Sequence, residues 1–233
     1  LNHCEDYLFT GEIGNEKIIC AVMDGCTMGT DSYLASTLVG KLIRKIVIEK
    51  GYKELYHTES HNSIDDYLKS IIKDLFKELN SIKNQLMLEL KELLTTLIIT
   101  LIDTSKQNGI VLAVGDGLVS INGKMTSFDQ DNKPDYLGFH LSEDFKGWYI
   151  RQSQKITFDT LHDISIATDG IFMFQSIRKE VDETIDPINF LLSDKTNMQN
   201  EDMLALKMKT LEHRFGVKPT DDLAIVRIIF SGD

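Results

Sequence analysis

Residues 95–123, TTLIITLIDTSKQNGIVLAVGDGLVSING, decide the fold. Up to residue 93 the apolar residues recur at helical spacing; from Thr95 they run together as β-branched and aliphatic stretches. Three consecutive strands are expected, TTLIITLI, IVLAVGDG and LVSING, with turns at Gly109 and at Asn122-Gly123.

Working outward, KIICAVM (17–23) is a short apolar run that stops at Asp24-Gly25, as a buried strand feeding a loop would. Asp31 or Ser32 is placed to cap a following helix with Leu34, Leu38, Leu42 and Ile46 along one face. A longer helix is expected from Ile64 through Leu68, Ile71, Leu75, Leu79, Ile82, Leu86 and Leu90 to Leu93. Its spacing averages about 3.6, the period of a straight helix packed on its own domain rather than of a coiled coil. Residues 124–162 read as polar and irregular, with Trp148, Tyr149 and Ile150 as a possible strand. DISIATDGI, from Asp163, is a strand ending in Asp-Gly; residues 171–215 read as mostly helical; LAIVRIIF (223–230) is a closing strand after Thr220-Asp221-Asp222. Strand runs interleaved with long helices imply an α+β layered fold, and the lack of any linker or repeat implies one domain over residues 1–233.

Composition narrows the function. The 25 basic and 36 acidic side chains give a net charge of -11. Nucleic-acid and anionic-membrane surfaces need clustered Lys and Arg, so neither partner is expected. A phosphorylated substrate stays possible if cations held by carboxylates attract it. Cys4, Cys20 and Cys26 are an odd number without metal-ligand spacing and read as reduced thiols of a cytoplasmic protein. No apolar run reaches the roughly 18–20 residues of a membrane span, and no signal peptide is visible at Leu1. The chain opens on Leu rather than Met, which leaves room for an upstream segment.

One feature recurs: apolar strands end in, or start from, an aspartate. It occurs in AVMDG at Asp24, AVGDG at Asp116, IATDG at Asp169 and PTDDLAIV at Asp221 and Asp222. Carboxylates crowded at a sheet rim repel unless a cation neutralises them. Glycine after aspartate allows a sharp turn and leaves its carbonyl free as another oxygen ligand. All-oxygen donors suit Mg²⁺ or Mn²⁺ rather than Zn²⁺. Asp-Gly is also the commonest turn dipeptide, so spacing alone leaves turn and ligand both open.

In order, these segments resemble the motif series of the type 2C metal-dependent protein serine/threonine phosphatases, in a divergent, bacterial-like version. Glu5-Asp6 matches the early acidic pair and AVMDG the strand with its Asp-Gly loop. Thr95-Thr96 matches the Thr-rich strand start, AVGDG the Gly-Asp-Ser turn, IATDG the later Ser-Asp-Gly, and TDDLAIV the closing Asp-Asn strand. The likeness runs from Glu5 to about Phe230. It implies a four-layer α-β-β-α sandwich of two antiparallel sheets flanked by helix pairs, and two or three Mn²⁺ or Mg²⁺ ions. Asp24 would bridge two metals, with Glu5 and the Gly25 carbonyl on one and Asp169 and Asp221 on the other. Asp6 would stand behind them, and Asp116 with Asp169 would hold a weaker third ion. A metal-bridging hydroxide would attack phosphoserine or phosphothreonine of a protein substrate in line, and a monomer is expected.

Three departures stand out. Cys26 occupies the place where the family's loop often has a proton-donating histidine, Leu1 stands where an Arg often binds phosphate, and the stretch from Asp116 to Asp169 is short. The first two favour the alternative, a phosphatase-like binding or regulatory module of weak turnover. Cys26 is retained as a catalytic candidate. His57 and His61 flank Glu59 in a polar stretch that reads as a solvated loop rather than a metal site, and His140, His162 and His213 show no partners at ligand spacing. Ser36 and Thr37 lack a nucleophile-elbow context, and Met203 and Met208 read as packing.

Overall fold

The computed structural model describes residues 3–30, 32–56, 61–130, 135–177 and 185–230. Strands β1 (Asp6–Ile13) and β2 (Lys17–Asp24) form a hairpin, followed by helices α1 (Ser32–Leu55) and α2 (Ile64–Leu86). Strands β3 (Leu97–Asp103), β4 (Asn108–Val114), β5 (Gly117–Ile121) and β6 (Lys124–Phe128) come next, then α3 (Phe145–Arg151), β7 (Lys155–Phe158) and β8 (Asp163–Ala167). The chain closes with β9 (Phe174–Ser176), α4 (Pro187–Leu192), α5 (Met203–Thr210), β10 (Val217–Pro219) and β11 (Ile225–Ile229). One antiparallel sheet has the order β1-β2-β3-β4-β7 and the other β11-β8-β5-β6; β9 and β10 make a small separate ladder.

The layering follows from the two-residue period of a strand. Ile19, Ala21 and Met23 of β2 and Leu97, Ile99 and Leu101 of β3 face α1 and α2. Cys20, Val22, Ile98 and Ile102, on the alternate positions, face the second sheet and meet Val119, Ile164 and Ile166. On that sheet's outer face Leu118 and Ala167 pack with Leu191, Leu192 and Leu211. Three apolar layers therefore separate helices, sheet, sheet and helices, the α-β-β-α sandwich. Strands buried on both faces have no polar side to alternate, which is why TTLIITLI is apolar at every position except Thr95, Thr96 and Thr100, which are buried too.

Several local expectations need correction. Trp148, Tyr149 and Ile150 belong to α3, capped by Asp144, whose carboxylate accepts the Gly147 N–H (2.7 Å). The turn expected at Gly109 falls earlier, at Gln107 with φ 52, and Gly109 lies inside β4, where a Cβ would meet the Phe158 ring at 2.4 Å. The long helix stops at Leu86 because Met87 turns left-handed (φ 53) and closes the end on the Lys83 carbonyl, a C-cap geometry; Leu90–Leu93 is a separate 3-10 turn. The buried face of α1 is wider than expected: Leu42 and Ile46 are buried and Leu38 packs partly on the core, but Ala35, Val39, Ile43 and Val47 join them and Leu34 is exposed. Ser32 is the first helical residue and sends its hydroxyl to Glu5, while Asp31 lies outside the described residues. The stretch 124–162 is not irregular: it contributes β6 and β7 as well as α3. Asn122-Gly123 does form the expected hairpin turn, with φ 52 and 83.

Candidate active site

Topology brings the aspartate-bearing strand ends to one rim. Asp6 opens β1 opposite Asp24 at the end of β2, and Thr95-Thr96 precede β3 beside it. Asp116 lies between β4 and β5, Asp169 just past β8, and Asp221-Asp222 just before β11, which pairs with β8 through Ile225 and Ala167. Antiparallel pairing puts all of these at the same end of the sandwich.

Hydrogen bonds hold the rim together across both sheets. The Thr95 hydroxyl and the Thr96 N–H donate to the Asp24 carbonyl, both at 2.8 Å, and the Asp24 N–H donates to Thr96 Oγ1 at 3.0 Å. Thr168 on the second sheet donates its hydroxyl to the Asp6 carboxylate (2.6 Å) while accepting the Ala224 N–H (2.9 Å). The Glu5 N–H donates to the Asp222 carboxylate at 2.6 Å. Glu5 itself accepts the hydroxyls of Thr27 (2.9 Å) and Ser32 (2.6 Å) on its carboxylate and that of Ser36 (2.5 Å) on its carbonyl.

Two glycines are required here for space rather than for backbone angle. A Cβ on Gly25 would lie 2.1 Å from the Ser32 carbonyl oxygen, and one on Gly170 would lie 1.9 Å from that of Asp222. The Asp-Gly pairs thus let backbone press against backbone directly behind Asp24 and Asp169.

Electrostatics mark the rim as incomplete. Burial, reinforced by Asp6, Asp169 and Asp221, pushes the Asp24 carboxyl up to about 9. Burial raises Asp6 too, although the Thr168 hydroxyl counters it, so Asp24 holds the proton that the two carboxylates share. Asp169 is raised by burial and by Asp221. Asp116 is pushed to about 6 by burial and then by Asp169 and Asp129, and its buried Oδ1 has no hydrogen-bond partner. Half-buried carboxylates that raise one another, one with an orphaned oxygen, form a donor set chemically suited to a hard divalent cation. Among the described residues, however, no three His, Cys, Asp or Glu side chains stand around a common point as a metal's ligands would. A cleft of about 600 Å³ opens beside Glu5, Asp221 and Asp222, with Thr27, Ser32 and His3 on its walls. A cleft of similar size at the far end of α1 is built around the Lys17–Glu54 ion pair (3.1 Å) and has no link to the rim.

Sequence reading passed over three features of this end. Thr168 ties the two sheets through Asp6, and its only signal was its place before Asp169. Tyr136 lies against Cys26, and burial followed by the Cys26 contact pushes its phenol above the ordinary tyrosine range. His140, expected to lack partners, is held between Asp135 (2.7 Å) and Glu143 (2.5 Å), and those carboxylates raise it above its usual range despite burial. All three cysteines are free, Cys4 exposed and Cys20 and Cys26 buried. Leu1, His57 and Glu59 lie outside the described residues.

Comparison with known proteins agrees with this architecture. The chain resembles the magnesium complex of RsbX at 18% identity and a TM-score of 0.51, covering 97% of this chain and 87% of that one. It resembles the phosphatase-domain structure of the cell-fate determinant SpoIIE from Bacillus subtilis at 17% identity and a TM-score of 0.55, covering 97% of this chain and 58% of that one. A bacterial serine phosphatase matches at 12% identity and a TM-score of 0.56, over 100% of this chain and 94% of its own. No curated protein matches in sequence. The model of the protein phosphatase 2C family matches residues 2–205, and with the two-sheet sandwich around an acidic rim, this chain belongs to that family.

Proposed function

We propose that the chain is a metal-dependent protein serine/threonine phosphatase, one domain that hydrolyses phosphoserine and phosphothreonine monoesters of protein substrates. The observation that carries this reading is the gathering of the strand ends that bear Asp6, Asp24, Asp169 and Asp221 at one rim, where burial and mutual repulsion raise the Asp24 carboxyl: a negative cluster that cation binding would relieve. Glu5, Asp24, the Gly25 carbonyl, Asp169 and Asp221 are the residues that would hold two Mg²⁺ or Mn²⁺ ions, with Asp116 available to a third. When bound, such ions supply the positive charge that draws in a phosphate and acidifies water. The protein's own part is positional. Thr95 and Thr96 fix the backbone of Asp24 from one side, and Thr168 fixes Asp6 behind it from the other sheet. Thr27 and Ser32 orient Glu5 at the mouth of the cleft.

The alternative, a phosphatase-like binding or regulatory module, is favoured by Cys26 in the loop and by the lack of three convergent donors among the described residues. Among these residues no helix is long and apolar enough to cross a membrane. The deciding experiment is hydrolysis of p-nitrophenyl phosphate and of a phosphothreonine peptide, with saturating Mn²⁺ and with EDTA. Metal-dependent turnover of both is expected. Inactivity on both with Mn²⁺ supports the module instead.

A further inference from the structure

The cleft beside the rim has two unlike parts. Its floor is acidic, with Glu5, Asp221 and Asp222, and among the described residues that line it none is Lys or Arg. Its sides carry rings and apolar side chains that the core leaves uncovered. Glu5 stands between the two sides: its carboxylate accepts the hydroxyls of Thr27 (2.9 Å) and Ser32 (2.6 Å), and its N–H donates to Asp222 (2.6 Å).

On the first side, Tyr33 follows Ser32 in the first turn of α1, lines the cleft and is 40% exposed. The His3 ring, also on the cleft wall, lies against it with centroids 4.7 Å apart and planes 35° apart, so the two rings form one ledge. Met28, next to Thr27 of the same wall, is 89% exposed. On the second side, Pro219 and Thr220 line the cleft. Pro219 pairs with Phe174 in the β9–β10 ladder, and the N–H and hydroxyl of Thr220 both donate to the Met173 carbonyl, at 2.7 and 3.1 Å. Met173 itself is 50% exposed. Apolar residues scattered singly on a surface are ordinary, but these bracket one cleft on two sides.

A phosphate monoester needs only the floor; the rings and the methionines offer their surface to whatever flanks the phosphate in a larger substrate. An acidic neighbour would meet Glu5, Asp221 and Asp222 with like charge, whereas an apolar or aromatic one would lose water against the Tyr33–His3 ledge. We propose that the cleft selects protein segments whose phosphoserine is flanked by apolar or aromatic residues, seated on Tyr33 and His3 on one side and by Pro219 and Met173 on the other. The inference rests on the phosphatase reading above and deepens it. Tyr33 sets which substrate is held and takes no part in breaking the bond to phosphorus.

The test uses the full chain with saturating Mn²⁺ and two phosphoserine peptides that differ only in the flanking residues, Leu and Phe in one and Ser in the other. kcat/KM should favour the Leu/Phe peptide by about 10-fold, the low end of what apolar contacts discriminate. Tyr33→Ala should bring that ratio below about 3-fold, and Tyr33→Phe, which keeps the ring, should preserve it. The ratio is internal to each variant, so a general loss of activity or stability does not move it. If Tyr33→Ala fails to fold, Met173→Ser on the other side takes its place with the same expected fall. A wild-type ratio below about 3-fold, or one that survives these substitutions, overturns the proposal, while hydrolysis of both peptides leaves the phosphatase reading intact. No turnover of either peptide or of p-nitrophenyl phosphate overturns the phosphatase reading instead. Docking is then read by fluorescence anisotropy of the labelled peptides: about 10-fold tighter binding of the Leu/Phe peptide is expected, and equal binding overturns the proposal as well.

Discussion

Two groups of aspartates, one at the rim where both sheets meet and one on the outer side of the second sheet, meet opposite fates. At the rim, Asp24, Asp6 and Asp169 face one another and all are raised, Asp24 to about 9. On the sheet's outer side, the carboxylate of Asp163 receives Arg227 at 3.0 and 2.6 Å, and Asp194 receives Lys207 at 2.5 Å. Both cations are fully buried and finish their hydrogen bonds on the carbonyls of Phe190, Leu191 and Asp194. Although burial works against it, the Lys207 contact leads the effects that lower Asp194 to about 2. The knot is electrically complete and serves the fold by tying α4 and α5 to β8 and β11. The rim has the same residue type and, among the described residues, no ion-paired cation. A protein keeps such a cluster at a stability cost, and a ligand that brings positive charge is the physical reason to do so.

The comparison can be broken at several points. The largest effect belongs to the rim's chemistry: Asp24→Ala or Asp221→Ala should lower initial rates on p-nitrophenyl phosphate in saturating Mn²⁺ by at least about 1,000-fold, as expected for loss of a metal ligand. Retained activity would remove these residues from the site. In the knot, Arg227→Met leaves Asp163, whose side chain is 13% exposed, without its partner. Urea unfolding should show a loss of about 3–5 kcal/mol, the usual result of removing one member of a buried pair. A change below about 1 kcal/mol would mean that water reaches Asp163 and that the knot is a surface pair.

Metal should stabilise the rim and leave the knot untouched. At a hundredfold excess over Kd, Mn²⁺ should add about 2.7 kcal/mol, or roughly 5–10 °C in Tm for a chain of this size, relative to EDTA. Asp24→Asn should abolish most of that shift and raise the metal-free Tm, because folding then no longer has to protonate a carboxyl that the unfolded chain leaves ionised. The pH dependence gives the sign independently. Between the ordinary carboxylate value near 4 and about 9, the folded metal-free chain holds a proton on Asp24 that the unfolded chain has lost. Stability in EDTA should therefore fall as pH rises through that window, and Asp24→Asn should flatten the slope. A wild-type melt that is flat from pH 5 to 8 would contradict the repulsion argued here.

The smallest effect is the knot's acid limb. Asp194 is lowered in the fold, so its contribution is fully present above the ordinary carboxylate value and is lost as pH falls through about 2. Asp194 is about one-third exposed, which screens the effect. Asp194→Asn should reduce stability at pH 6 and leave less of a difference at pH 2, read by urea midpoints at the two values.

How much was legible follows from the kind of signal each feature carries. The central strands were readable because residues 97–102 and 110–114 are apolar on both faces, a pattern that needs no partner to be recognised. β1 was missed because DYLFTGEI is an edge strand with its burial mixed along its length, and β7 because KITF is short. Trp148 and Tyr149 read as a strand by composition, but the aromatic packing of Phe76 and Phe145 around Trp148 set them on a helix instead. At the site, Asp24, Asp116, Asp169, Asp221 and Asp222 were found from their places at strand ends and Asp6 only through the family resemblance, while Thr168 and Tyr136 carry no pattern of their own.

What the sequence determined by itself is the set of apolar runs, their aspartate endings and an excess of acid, because these are local properties of side chain and order. Which end of each strand lies beside which is decided by antiparallel pairing, which brings Asp6 to Asp24 across 18 residues and Thr168 to Asp6 across 162. The full width of the buried face of α1 and the pairing of Asp163 and Asp194 with buried cations were likewise decided only in the folded chain. Each depends on contacts between residues far apart in sequence, and no local spacing encodes them.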